Sequence, residues 1–104
     1  MSAITELLLA YQYAQPTTGA TVQILDGVVV TNIDPAAGLA ALTVDFSLLT
    51  PDDAEVQFLA FTRAVTTLAL TGGSFAANAP ATVPSGGAQW TLQYQAAAGK
   101  WFLI

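Results

Sequence analysis

The stretch that most constrains this chain is its close, residues 89–104, QWTLQYQAAAGKWFLI. Trp90, Leu92 and Tyr94 alternate with Thr91, Gln93 and Gln95, the two-residue period of a half-buried strand. Residues 96–99 are a small connection of hairpin-loop size that contains glycine. Trp101, Phe102, Leu103 and Ile104 then follow Lys100 without a polar break. So apolar a terminus is predicted to be tied into a sheet or against a partner subunit, with the preceding residues as the layers that cover it.

With 104 residues there is room for one domain, which as a monomer buries about two-thirds of its unfolded surface. Apolar residues make up 54% and charged residues 9%, against about a quarter charged in ordinary domains. That is too little charge to cover a free monomer, so a homo-oligomer or a permanently docked subunit is expected. Net charge is −5, and Arg63 and Lys100 are the only cations. A chain so acidic lacks the basic cluster that nucleic-acid binding needs. Apolar runs are broken by Thr, Gln, Asp and Gly before they reach membrane-spanning length, so no membrane partner is expected. The first twelve residues, MSAITELLLAYQ, lack the basic start of a signal peptide. Cysteine and histidine are both absent, which removes disulfides, zinc sites and histidine-based catalysis by inventory.

Residues 1–18 are predicted to be an N-terminal arm, strand or short helix, carrying Ile4, Leu7, Leu8, Leu9, Tyr11 and Tyr13. Such a segment either packs on the edge of its own domain or reaches a neighbouring subunit. The β-domain is placed at residues 19–104. Runs 21–25 and 28–33 flank Asp26-Gly27, the strongest short hairpin signal. Asp34-Pro35 breaks the pattern, and residues 36–40 have the composition of a single helical turn. Over 41–49, Leu42, Val44, Phe46 and Leu48 alternate with Thr43, Asp45 and Ser47. Thr50-Pro51-Asp52-Asp53 is a turn. Residues 55–61 and 65–71 are strands, while 72–88, with four of the eight glycines, reads as a close-packed crossover with a short strand at 81–83. Strand and turn signals recurring about every ten residues predict an all-β fold, a small antiparallel β-sandwich or barrel. No internal repeat of 20–50 residues is apparent.

Candidate chemistry is sparse. Asp52, Asp53 and Glu55 form the one acidic cluster, short of the six or so oxygens a calcium site takes, and read as a solvated turn whose charges discourage edge pairing. Asp45 and Arg63 suit a structural cross-strand ion pair. Trp90, Tyr94, Trp101 and Phe102 offer a sugar-stacking platform on one reading, and core or subunit interface on the other, the commoner use of alternating aromatics. The glycine pairs lack the helix and lysine of a phosphate loop. No catalytic, cofactor or metal residues are assigned, and an enzyme is not expected.

The order LTVDF, Pro51-Asp52-Asp53, EVQFLAF, VTTLALTGG, a crossover with Ala79-Pro80 and Gly86-Gly87, and WTLQYQAAAGKWFLI resembles a small β-domain of tailed-bacteriophage virion proteins. Residues 19–42, GATVQILDGVVVTNIDPAAGLAAL, resemble the strands that precede it there. The domain occurs at the ends of tail and head fibres and in capsid decoration (cement) proteins. The resemblance implies a homotrimeric β-structure with a virion structural role and no catalytic residues to carry over. Fibre proteins carry the domain behind a shaft, whereas residues 1–18 are all that precede it here. The expectation is therefore a trimeric knob on the capsid outer surface, bound to the major capsid protein, with a tail-fibre tip that binds host glycan as the alternative. Ile4, Leu7, Leu8, Leu9, Tyr11 and Tyr13 are the expected capsid-contact or trimer-locking residues. Trp90, Leu92, Tyr94, Trp101, Phe102 and Leu103 are expected in the core or the trimer.

Overall fold

The structure, a computed structural model, describes residues 10–104. It contains eight strands and, among the described residues, no helix: β1 Tyr11–Ala14, β2 Thr21–Gln23, β3 Val30–Ile33, β4 Leu39–Asp45, β5 Val56–Phe61, β6 Val65–Thr71, β7 Gln89–Gln95 and β8 Lys100–Leu103. They form a five-stranded sheet in the order β1-β3-β5-β7-β8 and a three-stranded sheet in the order β2-β4-β6. Through β6 the strands alternate between sheets, so the chain winds around one core and advances a rung per turn. β1, β3 and β5 are parallel, as are β2, β4 and β6. β7 and β8 then close the larger sheet as an antiparallel pair.

Winding stacks equivalent residues above one another. Ile33 lies beside Phe61, Val22 beside Val44 and Leu70, and Leu42 beside Leu68. The fully buried large residues between the sheets include Ile24, Ile33, Leu42, Val44, Phe46, Leu59, Phe61 and Leu92. Each such side chain contributes about 1.5–3 kcal/mol by leaving water. The arches between strands carry the proline and most of the charge, because the chain must turn there without a ladder to satisfy its backbone.

The all-β expectation agrees with this architecture, but its antiparallel form does not. The smaller sheet is wholly parallel and the larger one mixed. Asp26-Gly27 is a tight turn, with Gly27 at φ 87° and the Val28 amide donating to Leu25 O. Yet β2 and β3 lie in different sheets, so the turn is an arch rather than a hairpin. Local turn chemistry is the same in both; what differs is that Gln23 pairs with Asp45 and Val30 with Phe58, partners distant in sequence. The helical turn expected at 36–40 is a bend that runs into β4 at Leu39. Leu48 is 45% exposed and Leu49 takes the inward place, because β4 ends at Asp45 and the chain turns as Leu49 N donates to Phe46 O.

Residues 72–88 act as a strap over two sheet edges. Trp101 donates to Ser74 O and accepts from Ala76 N, and the Asn78 side-chain amide both donates to Leu103 O and accepts from Leu103 N. The strap then crosses to the other sheet, where Val83 and Val65 exchange backbone hydrogen bonds and Leu68 N donates to Ala81 O. The outer edges of β8 and β6, otherwise templates for pairing with another chain, are thereby covered.

Candidate interaction surfaces

Ile4, Leu7, Leu8 and Leu9 lie outside the described residues. Tyr11 and Tyr13 stand on β1, the edge strand of the larger sheet, 69% and 56% exposed. Leu92 and Trp101 are in the chain's own core, and Trp90, Tyr94 and Leu103 pack half-buried against it. Trp101 sits in a chain of edge-to-face aromatic contacts, 5.5 Å from Tyr94 and 5.3 Å from Phe46, which is in turn 5.0 Å from Phe75 of the strap. Phe102 faces the other way. Its pairing with Gln93 and Val56 puts it on the outside of the sheet.

The two outer surfaces differ in chemistry. On the smaller sheet, Thr21, Thr43 and Ala69 form one row, and Gln23, Asp45 and Thr71 another. The Asp45 carboxylate accepts from Ser47 Oγ at 2.7 Å, Gln23 Nε2 at 3.1 Å and Thr71 Oγ1 at 3.2 Å. Those bonds, the one from the Ser47 hydroxyl first, hold its pKa below the ordinary 3.8. Arg63, expected as its ion-pair partner, instead stands near Asp34. Gly72 completes this end. It has φ 79°, and a Cβ there would overlap Asp45 Oδ1 and Ser47 N.

On the larger sheet, the outer face runs Tyr11, Val30, Phe58 and Thr91 in one row, with Tyr13, Asn32, Ala60 and Gln89 beside it. Val56, Gln93 and Phe102 make a third. None of these residues is charged; Gln95 and Lys100 end the face with its one charged strand residue among those described. A groove of about 230 Å³ lies on this face, lined by Val30, Asn32, Phe58, Ala60, Gln89 and Thr91 among others. Tyr13 is held in place at its rim: its hydroxyl donates to Asp34 Oδ2 at 2.5 Å, while Thr62 Oγ1 donates to Asp34 Oδ1 at 2.7 Å. The Tyr13 bond, then that of Thr62, lowers the Asp34 pKa, and the same bond raises that of Tyr13.

A second cleft, of about 430 Å³, opens between two stacked arches. One is Gln15-Pro16-Thr17-Thr18-Gly19, the other Asp34-Pro35-Ala36-Ala37-Gly38. They share a pattern, residue-Pro-small-small-Gly, at the same offset that pairs Tyr11 with Val30. This internal repeat was legible in the sequence as two Pro-x-x-Gly turns.

The acidic turn is structural in its contacts. Asp53 Oδ1 accepts from Ala96 N, joining the turn to the β7–β8 connection. Among the described residues no three acids converge as a cation site needs. Comparison with known proteins finds no matching family model, no matching curated protein and no matching solved structure.

Proposed function

We propose that this chain is a virion structural protein of a tailed phage, a capsid decoration (cement) protein that binds the assembled shell as a trimeric knob and clamps neighbouring subunits of the major capsid protein. The resemblance of residues 19–104 supplies the virion context. The observation that carries the reading is the half-buried outer face of the five-stranded sheet, where Lys100 is the one charged strand residue among the described residues, on a chain with two cations and seven acids. A surface of that kind is suited to lasting burial against protein rather than to water. The polar outer face of the smaller sheet suits solvent.

The mechanism is mass action. A subunit that binds the assembled shell and not its dissociated parts stabilises the shell by about 2.7 kcal/mol per site at a hundredfold excess over Kd. Three linked sites raise the effective affinity without new contacts. Light scattering of the purified chain should give the mass of three copies, and the protein should co-sediment with expanded empty capsids and raise their melting temperature. A stable monomer that leaves capsids unchanged overturns the proposal. Exposed Tyr11 and Tyr13 favour the second reading, a fibre tip that stacks on host sugars; signal on a glycan array without capsid binding decides for it.

A further inference from the structure

We infer that copies of this chain meet on the outer face of the five-stranded sheet, with Tyr11 of one copy seated in the groove beside Phe58 and Ala60 of the next. The inference rests on the trimer reading and names its contact. Three observations carry it. The first is electrostatic. Each copy has net charge −5, and bringing like charges together at an interface costs several kcal/mol. Among the described residues, Asp26, Asp34, Asp52, Asp53 and Glu55 lie on connections between strands and Asp45 on the opposite sheet, so no strand position of this face holds an acid and Asp34 touches it only at the Tyr13 hydroxyl. It is a surface on which two such copies approach without that cost.

The second is shape. Tyr11 protrudes at one edge of the face, and the groove of about 230 Å³ lies further across the same face, between Val30 and Thr91. Knob and hole are different parts of one surface. A two-fold pair would satisfy two such contacts at once, whereas repeated head-to-tail the contact makes a ring when the rotation closes, and the trimer reading takes the ring. The third is preorganisation. Tyr13, next on the same side of β1, is already fixed by Asp34, and tyrosine has few rotamers to lose. The tyrosine edge enters the contact with little entropy left to give up.

The absence of cysteine makes a direct test clean. Tyr11→Cys and Ala60→Cys are introduced together and the protein is oxidised. β3 lies between the two strands concerned, so they sit about 9–10 Å apart within one copy, too far for an internal disulfide. Bands of two and three linked chains on a non-reducing gel are expected. In parallel, Ala60→Arg and Thr91→Lys should each reduce the light-scattering mass from three chains to one with the far-ultraviolet dichroism unchanged. Thr43→Lys, on the outer face of the other sheet, should remain a trimer. Wild-type trimers with no cross-link, and variants that stay trimeric, overturn this contact while leaving the trimer standing. A monomeric wild type overturns both.

Discussion

Gly72→Ala separates two costs that the structure superimposes at one residue. A left-handed backbone at alanine costs about 1–2 kcal/mol relative to glycine. Crowding an already packed site costs about 1–3 kcal/mol more. Gly27 carries only the first, with φ 87° and nothing within 4 Å of an added Cβ. Gly86 carries only the second, its Cβ position overlapping the Thr62 carbonyl oxygen. Gly72 carries both: φ is 79°, and the Cβ overlaps Asp45 Oδ1 and the Ser47 backbone nitrogen. A backbone nitrogen cannot swing aside as a side-chain tip can, so relaxation there means moving the turn after β4. The expected order is Gly27→Ala about 1–2, Gly86→Ala about 1–3 and Gly72→Ala about 2–5 kcal/mol. Urea unfolding at fixed protomer concentration reads the difference, since oligomers shift with concentration. With a slope of about 1–2 kcal/mol per molar, 2 kcal/mol between Gly72→Ala and Gly27→Ala moves the midpoint by about 1–2 M. A Gly72→Ala midpoint no lower than that of Gly27→Ala would refute the reasoning.

Trp101→Ala removes the centre of the aromatic chain that joins strap, arch and closing hairpin, and should cost about 3–5 kcal/mol in the same titration, whereas Phe102→Ala should cost markedly less. Asp34 has a lowered folded pKa, so its contribution is present above its ordinary 3.8 and is lost as pH falls through the folded value. Tyr13 has a raised one, so its contribution is present below 10.0 and is lost as pH rises through the folded value. Thermal melts against pH should therefore fall on both flanks, and Asp34→Asn should flatten both; unchanged flanks would show that the contact is absent in solution. Gln12 donates to Gln23 O and accepts from Leu25 N, standing where the peptide of a further rung would stand beside β2. Gln12→Ala should cost about 0.5–1.5 kcal/mol, with faster hydrogen exchange at the Leu25 amide as the specific sign.

Strand content was legible because it rests on period two: Leu42, Val44 and Phe46 alternate inward as their spacing says, and so do Leu59 and Phe61. Pairing was not, because period two is silent about which strand lies alongside. Asp26-Gly27 fixes a turn, but a turn between sheets and a turn within one ask the same of glycine. The distinction lay in a longer-range signal, the two Pro-x-x-Gly arches whose offset equals the β1–β3 register. It fades in the third winding, where Thr62-Arg63-Ala64 replaces the proline arch and β6 begins sooner. The same blindness applies to the surface. Sequence alternation marks Phe58 and Phe102 as apolar, and a two-layer fold invites placing every aromatic inside. Only the register shows that Gln57, with its amide bonded to Val28 O, takes the inward place while Phe58 faces out. A buried glutamine next to an outward phenylalanine reverses the usual placement of each, and the burial is only half compensated, with Gln57 Nε2 bonded and Oε1 buried without a partner. The reversal leaves apolar area outside on the one sheet face whose described strand residues include no acid. For an acidic chain, that combination is intelligible when the outer face is itself an interior, completed by other copies.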